Sequence, residues 1–462
     1  MERIPVIETT ENIDKKVTVA GWIANKRDHG KITFVDLRDA SGVLQVVFSS
    51  DLKKAAVDLR PEWVIEITGK VSQRPKSMEN PELETGSIEL QAENVEVLSK
   101  AKTPPFALDT DGYEVDEEKR LKYRYLDLRR PRLQRNLRLR HKVLHFMRDY
   151  LSKEGFVEIE TPILTKSTPE GARDFIVPAR LQHGKFYALP QSPQQYKQLL
   201  QVAGFEKYFQ IARALRDEDP RGDRQAEHTQ LDIEMSYIER EDILSLVEKL
   251  HTKLVKELFP EKKITKTPFP RYTYKEVIKK YKTDKPDLRK NTKDDNELAF
   301  AWVVDFPAYE KEKKTGRWTA MHNPFSRPQA DSPKVMKKNP GKILSEQYDL
   351  VLNGMEIAGG SLRAFRPELL EAAFEIMGHS KKEIKENFGH MLEAFTYGVP
   401  PHGGIAGGVD RLLAILLNEP NIREVMAFPK TGDNRELMMD APSEVSKEQL
   451  KELGLKIEKK KK

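Results

Sequence analysis

Apolar residues in the first hundred positions recur at every second place. Val17, Val19, Gly21 and Ile23 alternate, then Val35 and Leu37, then Leu44, Val46 and Phe48. The runs VIEITGKV (64–71) and SIELQAENVEVL (87–98) complete about five short strands with turn signals between them, which predicts a small β-barrel. If Val35, Leu37, Leu44, Val46 and Phe48 fill its interior, Phe34 and Gln45 point outward. An outward aromatic and amide near Lys26 and Arg27 suit the stacking and reading of unpaired bases, although a partly covered strand residue gives the same pattern.

The pattern changes after residue 100. Residues 101–125 carry Pro104-Pro105, Gly112 and mixed charge, as a hinge does. An amphipathic helix is predicted from about Gln134 to Glu154, with Leu137, Val143, Leu144, Met147 and Leu151 on its apolar stripe. GFVEIETPIL (155–164) then reads as a strand whose Pro162 suits a sheet edge or a dimer contact. Beyond it, strands and helices mix, so an α+β domain is expected. The expected layout is a barrel over 1–105, a hinge over 106–125, a large α+β domain over 126–445 and a basic tail over 446–462.

The 462 residues hold no cysteine, which excludes disulfides, thiol nucleophiles and Cys-ligated zinc. The N-terminal residues lack a secretory h-region, and no apolar run approaches the length of a membrane span. A cytoplasmic location is expected. Lys and Arg number 79 against 73 Asp and Glu, a net +6 that permits a nucleic-acid partner without demanding one. LKYRYLDLRRPRLQRNLRLRHK (121–142) is strongly basic, and the chain ends in four lysines that read as a solvated tail.

Four segments carry candidate chemistry. YFQIARALRDEDPRGDRQAEHTQLDIEMSY (208–237) reads as strand, polar loop, strand. Leu231, Ile233, Met235 and Tyr237 share one face; Gln230, Asp232, Glu234 and Ser236 share the other. Arg216 extends a face floored by Gln210, Ala212 and Ala214, which leaves room for a ligand. A solvated hairpin is the alternative. In PPHGGIAGGVDRLLAILL (400–417), four glycines allow close backbone approach and Arg411 opens an apolar helix, which suggests a phosphate site or merely a turn before a core helix. In YDLVLNGMEIAGGSLR (348–363), Asp349 and Glu356 could hold Mg²⁺ or lie on a solvated strand, and Arg363 follows a GGS turn. ALPQSPQQYKQLL (188–200) contributes Ser192, Gln194 and Lys197, the last of which could be an ordinary surface lysine.

Together these segments resemble the three motifs of class II aminoacyl-tRNA synthetases. RDHG (27–30), RYLDLRRP (124–131), EGARDF (170–175), ALPQSPQ (188–194), QIARALRDED (210–219), MHNPF (321–325), GSLR (360–363) and FPK (428–430) are similar to the bacterial type of aspartyl-tRNA synthetase along the whole chain. The resemblance implies an N-terminal OB-fold barrel that binds the anticodon and an α+β catalytic domain on an antiparallel sheet with flanking helices. It also implies a homodimer using ATP and Mg²⁺ to activate L-aspartate and transfer it to tRNA.

The resemblance assigns roles by position. Arg216 matches the motif 2 arginine on the α-phosphate and amino-acid carboxylate. Asp217, Glu218 and Gln225 match ATP-binding positions. Arg411 matches the motif 3 arginine on the γ-phosphate, beside Gly408, Val409 and Asp410 of the ATP site. Glu356, with Asp349, matches the Mg²⁺–ATP acids. Lys197 and Arg363 match cations that bind the substrate side-chain carboxylate, and Asp232 orders them. Ser192 and Gln194 lie near the substrate ammonium, Glu170 in a closing loop, and His322 at a substrate-closing position. In the barrel, Arg27, Phe34 and Gln45 match anticodon-reading positions.

The match has departures. Bacterial members usually carry a long insertion between motifs 2 and 3, which TDKPDLRKNTKDDNELAF (283–300) bypasses. Their usual HHP is His322-Asn323-Pro324 here, and the C-terminal extension is short. His29 and Ser77 match positions that accompany relaxed tRNA choice, which implies charging of both tRNA-Asp and tRNA-Asn, with an amidotransferase completing the second product. The alternatives are a tRNA-Asp-only enzyme, an asparaginyl- or lysyl-tRNA synthetase, a tRNA-free ligase making asparagine, or a catalytically dead RNA-binding paralogue. Lys197, Arg363 and Asp232 favour an acidic substrate, the barrel argues against the tRNA-free ligase, and Arg216, Glu356 and Arg411 argue against the dead paralogue.

Overall fold

The computed structural model describes residues 2–49, 52–167 and 171–458. The chain divides into two compact units, Met1–Val115 and Asp116–Lys462. The first is built from β1 (Lys16–His29), β2 (Ile32–Arg38), β3 (Val43–Phe48), β4 (Val64–Gln73) and β5 (Ile88–Ser99). The period-two pattern buries Val17, Val19, Ile23, Val35, Leu37, Leu44, Val46 and Phe48 in one core with Ile65, Ile67, Val71 and Leu90.

The strands pair in the order β1–β2–β3–β5–β4, and β1 also pairs with β4. The ring is uneven, however. β4 and β5 share a ladder from Val64↔Ser99 to Gln73↔Ile88, whereas β3 meets β5 only at Val46↔Leu90 and Val47↔Gln91, in parallel. β3 is a six-residue strand, so the barrel closes between β3 and β5 through a short seam.

The second unit begins inside the segment read as a hinge: Glu117–Lys122 and Arg124–Asp127 are helical. The long helix α1 runs Pro131–Lys153, starting with proline at its first turn, where the missing N–H costs nothing. Then come β6 (Val157–Glu158), α2 (Gln194–Val202), β7 (Lys207–Leu215), β8 (Glu227–Ser236), α3 (Arg240–Leu258), β9 (Arg271–Thr273), β10 (Phe300–Val304), β11 (Gln347–Leu352), β12 (Met355–Leu362), β13 (His402–Gly408) and α4 (Val409–Leu416). The sheet order is β9-β10-β11-β12-β13-β8-β7-β6.

This sheet is mixed, which corrects the antiparallel expectation. The pairs β9/β10 and β6/β7 are parallel at its two edges, and the six central strands are antiparallel. One face packs on α1, α3 and α4 through Leu231, Ile233, Met235, Val143, Met147, Leu250, Trp302 and Leu413. Part of the basic stretch at 121–142 is internal: Arg124, Arg130 and Arg132 are buried, whereas Lys122, Arg135, Arg138 and Lys142 are exposed. Asp127 accepts from Arg120, Arg124 and Arg130, while Glu424 accepts from Arg120 and Arg132. Within the expected tail, Lys447–Glu452 is a helix capped by Ser446 and Gln449; the four terminal lysines lie outside the described residues.

Candidate active site

The other face of the sheet carries a cavity of about 550 Å³. Lys197, Arg216, Arg363 and Arg411 all line it, with Ser192, Gln194, Glu218, Gln225, Asp232, His322, Glu356, Gly408 and Asp410. Four positive groups from α2, the β7–β8 loop, the end of β12 and α4 thus meet in one place, although the chain separates the first and last by more than two hundred residues.

The floor is a buried charge network. Lys197 Nζ lies 2.8 Å from Asp232 Oδ1 and 3.3 Å from Glu234 Oε2. Arg363 grips Glu234 through Nε at 2.7 Å and Nη2 at 3.0 Å, and its Nη1 donates to Ser361 Oγ at 2.9 Å. Burial opposes ionisation of Glu234, but Arg363 and Lys197 outweigh it and hold this carboxyl at about 2. The two cations and two carboxylates balance. An ammonium has three N–H groups and a guanidinium five, so Lys197 and Arg363 retain donors for a ligand.

Glu234 went unassigned in the sequence. The signal was there, since it shares the Asp232 face of β8, but its partner stands 129 positions away.

At the cavity's other end, Arg216 Nε donates to Gln191 O at 3.3 Å, and Arg411 pairs with Asp223 at 3.1 Å. Arg411 also donates to the carbonyl of Glu356. His228 lines the wall; burial and then Arg216 hold its imidazole down to about 4, so it is neutral at pH 7. Gln225 Oε1 accepts from the Lys430 backbone at 2.8 Å, which ties the FPK string to this wall. Among the described residues, Gln194 Nε2 and Gln225 Nε2 are buried with no hydrogen-bond partner.

Three expected positions differ from the others. The Asp410 carboxylate is engaged by Arg140 at 2.5 Å and the Thr229 N–H at 2.7 Å, so it braces α4 against α1 and β8. Val409 is buried in the hydrophobic core. Asp217 pairs with Arg173 at 3.5 Å and is not among the lining residues. Glu170 lies outside the described residues.

Asp349 and Glu356 approach across the β11–β12 hairpin, where a bulge after Leu350 shifts the register. A Cβ at Gly359 would stand 3.0 Å from Asp349 Oδ1 and 3.4 Å from Glu356 Oε1, so glycine keeps a notch open between them. Burial and the neighbouring Glu356 push the Asp349 carboxyl well above the usual carboxylate range. Glu356 is also buried, but Lys285, 2.9 Å away, brings it below its ordinary value. Two hard oxygen donors in a notch fit Mg²⁺, which is commonly held by one or two carboxylates plus phosphates. Among the described residues no group of three or more His, Asp or Glu side chains gathers as a metal site, so phosphate oxygens or water would complete the shell.

In the first unit, Arg27 is bidentate on Asp36 at 2.6 and 2.8 Å and reaches Gln45 Oε1 at 3.4 Å. Gln45 donates to Glu89 at 2.9 Å. Phe34 stands edge-on to His29 with ring centroids 5.7 Å apart. Arg27, Phe34, Gln45 and His29 therefore form one outer patch, while Ser77 is exposed on a separate turn.

The chain matches the family profile "tRNA synthetases class II (D, K and N)" over residues 116–432 and "OB-fold nucleic acid binding domain" over 17–98. It is 41% identical to an aspartate–tRNA(Asp/Asn) ligase of Rubrobacter xylanophilus, covering 96% of this chain and 95% of the relative. It is 42% identical to one of Syntrophomonas wolfei, covering 97% and 98%. The first alignment spans 572 residues, so the relative carries a long stretch with no counterpart among these 462. Among solved structures, the asparaginyl-tRNA synthetase of Entamoeba histolytica with asparaginyl-adenylate superposes at a TM-score of 0.74 and 25% identity, covering 93% of this chain and 98% of its own. The aspartyl-tRNA synthetase of the same organism gives 0.72 and 23%, over 93% and 91%. The chain belongs to the class II aminoacyl-tRNA synthetases, within the aspartyl/asparaginyl-tRNA synthetase family of ATP-dependent ligases.

Proposed function

We propose that this ligase activates L-aspartate with ATP and esterifies it to both tRNA-Asp and tRNA-Asn. One observation carries the reading: buried Lys197 and Arg363, with their carboxylates, share a cavity with Arg216 and Arg411. The first pair suits a side-chain carboxylate. The second suits phosphates.

In the first step the aspartate α-carboxylate attacks the α-phosphorus and pyrophosphate leaves. Arg216 spans the attacking carboxylate and the α-phosphate, and Arg411 draws the γ-phosphate back in line with the departing group. Both act on charge that builds in the transition state, so positioning and electrostatics dominate. Mg²⁺ held by Asp349 and Glu356 would supply Lewis-acid neutralisation of the polyphosphate. Glu218 and Gln225 hold the nucleotide beside Gly408; Ser192 and Gln194 take the substrate ammonium; His322 and Glu170 close over it. Asparagine offers an amide where Lys197 and Arg363 present N–H donors, which leaves buried donors unmatched and disfavours it. The 3′-terminal ribose hydroxyl then attacks the mixed anhydride and AMP leaves.

Choice of tRNA rests on the first unit, with Arg27, Phe34 and Gln45 reading anticodon bases and His29 and Ser77 permitting the relaxed choice. The names of the relatives, aspartate–tRNA(Asp/Asn) ligases, support this. An amidotransferase would then convert the product on tRNA-Asn. Exposed Val157, Ile163 and Leu164 around Pro162 suit a homodimer contact. Among the described residues no helix is long and apolar enough to cross a membrane, and we place the enzyme in the cytoplasm.

The test is aminoacylation of separated tRNA-Asp and tRNA-Asn with aspartate. Esterification of both is expected. Esterification of tRNA-Asp alone removes the relaxed choice, and neither product removes the ligase assignment to aspartate.

A further inference from the structure

We propose that Lys285 is a positioning residue of the ATP site: its ammonium holds Glu356 while no divalent cation is bound, then turns to the polyphosphate when a cation takes that carboxylate. The proposal rests on the ligase reading and deepens it.

Lys285 lies in TDKPDLRK, at the start of the segment that runs between motifs 2 and 3. The segment is pinned to the β11–β12 hairpin. Gly354 in that turn has φ of 83°, and a Cβ there would meet Asp287 Cβ at 3.4 Å and Asp287 Cα at 3.9 Å. Arg289 in turn clamps Asp287 with Nη2–Oδ2 at 2.7 Å, and the Lys285 N–H donates to Thr283 Oγ1 at 3.1 Å. The backbone is thereby fixed one turn away from the acid pair, and Lys285 Nζ reaches Glu356 Oε2 at 2.9 Å.

The place is where a positive charge is needed. Asp349 and Glu356 are like charges across a glycine notch, with Asp349 only 2% exposed. The other charged or titratable groups around them are Asp284, His322 and Arg411. Lys285 keeps a third of its side chain in solvent, so it is not locked into the core. A compact ammonium on a four-carbon stem can leave Glu356 for a phosphate oxygen without backbone movement. It therefore competes with a divalent cation for the empty acid pair and cooperates with that cation once ATP is present.

These two roles make opposite predictions for one variant. Mn²⁺ binding to nucleotide-free protein is measured by electron paramagnetic resonance, and ATP binding at saturating Mg²⁺ by titration calorimetry. In Lys285→Met, Mn²⁺ affinity should rise severalfold while ATP affinity falls about tenfold, the size of one lost ammonium–phosphate contact. Lys285→Arg should keep both near the parent. Unchanged ATP affinity, or Mn²⁺ affinity that stays the same or falls together with ATP, overturns the proposal. If the parent binds ATP and only Lys285→Met behaves unexpectedly, the ligase reading survives; if the parent binds no ATP, both fail.

Discussion

Replacing Lys197 by methionine removes one charge from a four-charge network with little change in volume. Lys197 is 1% exposed and contacts two carboxylates that are themselves buried, Asp232 at 2.8 Å and Glu234 at 3.3 Å. Glu234 keeps its bidentate Arg363, but Asp232 is left with Gln230, whose Nε2 donates at 2.5 Å. Stranding a buried charge in this way costs about 3–5 kcal/mol of stability.

The catalytic consequence is separable. The lysine's remaining N–H is lost to the substrate, and a net negative floor now repels the aspartate side chain. A charge-assisted hydrogen bond is worth about 1.5–3 kcal/mol, and at the upper end this is a loss of more than about a hundredfold. ATP–pyrophosphate exchange dependent on aspartate should fall by about tenfold to a hundredfold, while ATP binding, assigned above to Arg216 and Arg411, should change little. The assay is run at a temperature where circular dichroism shows the variant folded. Exchange near the parental rate at ordinary aspartate concentrations would refute the reasoning, because it would mean that Lys197 is only a structural counter-ion.

Gly404→Ala should abolish exchange and lower stability by about 3 kcal/mol, since its Cβ would stand 2.1 Å from both Glu234 Oε2 and Ile233 O; thermal unfolding within 1 °C of the parent would contradict this. Acid should unfold the protein through identifiable groups. Glu234 and Glu424 sit at about 2 against an ordinary 4.5, so each contributes stability that is complete above about 4.5 and lost as pH falls toward 2, on the order of 3 kcal/mol apiece. His228, held near 4 against 6.5, adds a loss between those values, because the unfolded chain takes up that proton first. Asp349, held high, works in the opposite sense and is relieved by acid. Urea midpoints should fall steeply below pH 4.5, where the losses at Glu234 and Glu424 set in, and Glu424→Gln should flatten that slope.

Faces were more legible in the sequence than partners. Alternation in LDIEMS separated Leu231, Ile233 and Met235 from Asp232 and Glu234, and the structure buries the first set in the core and turns Asp232 to the cavity. Periodicity also found α1, though not its start at Pro131. The two edge strands β6 and β9 have two and three residues, too few to show a period, so the mixed character of the sheet was invisible. Basic composition at 121–142 gave no sign of internal ion pairs: Arg132, with Arg120 just before the stretch, belongs to Glu424, roughly three hundred positions on, and no local pattern records a counter-ion at that distance. Lys285 was missed for the same reason, since its partner lies across a hairpin formed by a later segment.

The glycines of β13 show how a correct location can carry an incomplete cause. Their density suggested close approach to phosphate. Gly408 does line that end of the cavity, next to Gly407, yet Cβ atoms at 407 and 408 would meet neighbours only at 3.5 and 3.9 Å, so space alone would admit a side chain. Gly404 is different. It pairs with Ser361 of β12 on one side and Glu234 of β8 on the other. The Glu234 carboxylate lies over this position, where it meets Arg363 from just past β12, and a Cβ at residue 404 would stand 2.1 Å from it. The glycine thus permits two strands that are not neighbours to share an ion pair. That pair fixes the guanidinium, and its remaining N–H groups are those that, in the function proposed above, take the substrate carboxylate. In that reading, specificity for a carboxylate depends on the absence of a single methyl group one strand away from the arginine assigned to express it.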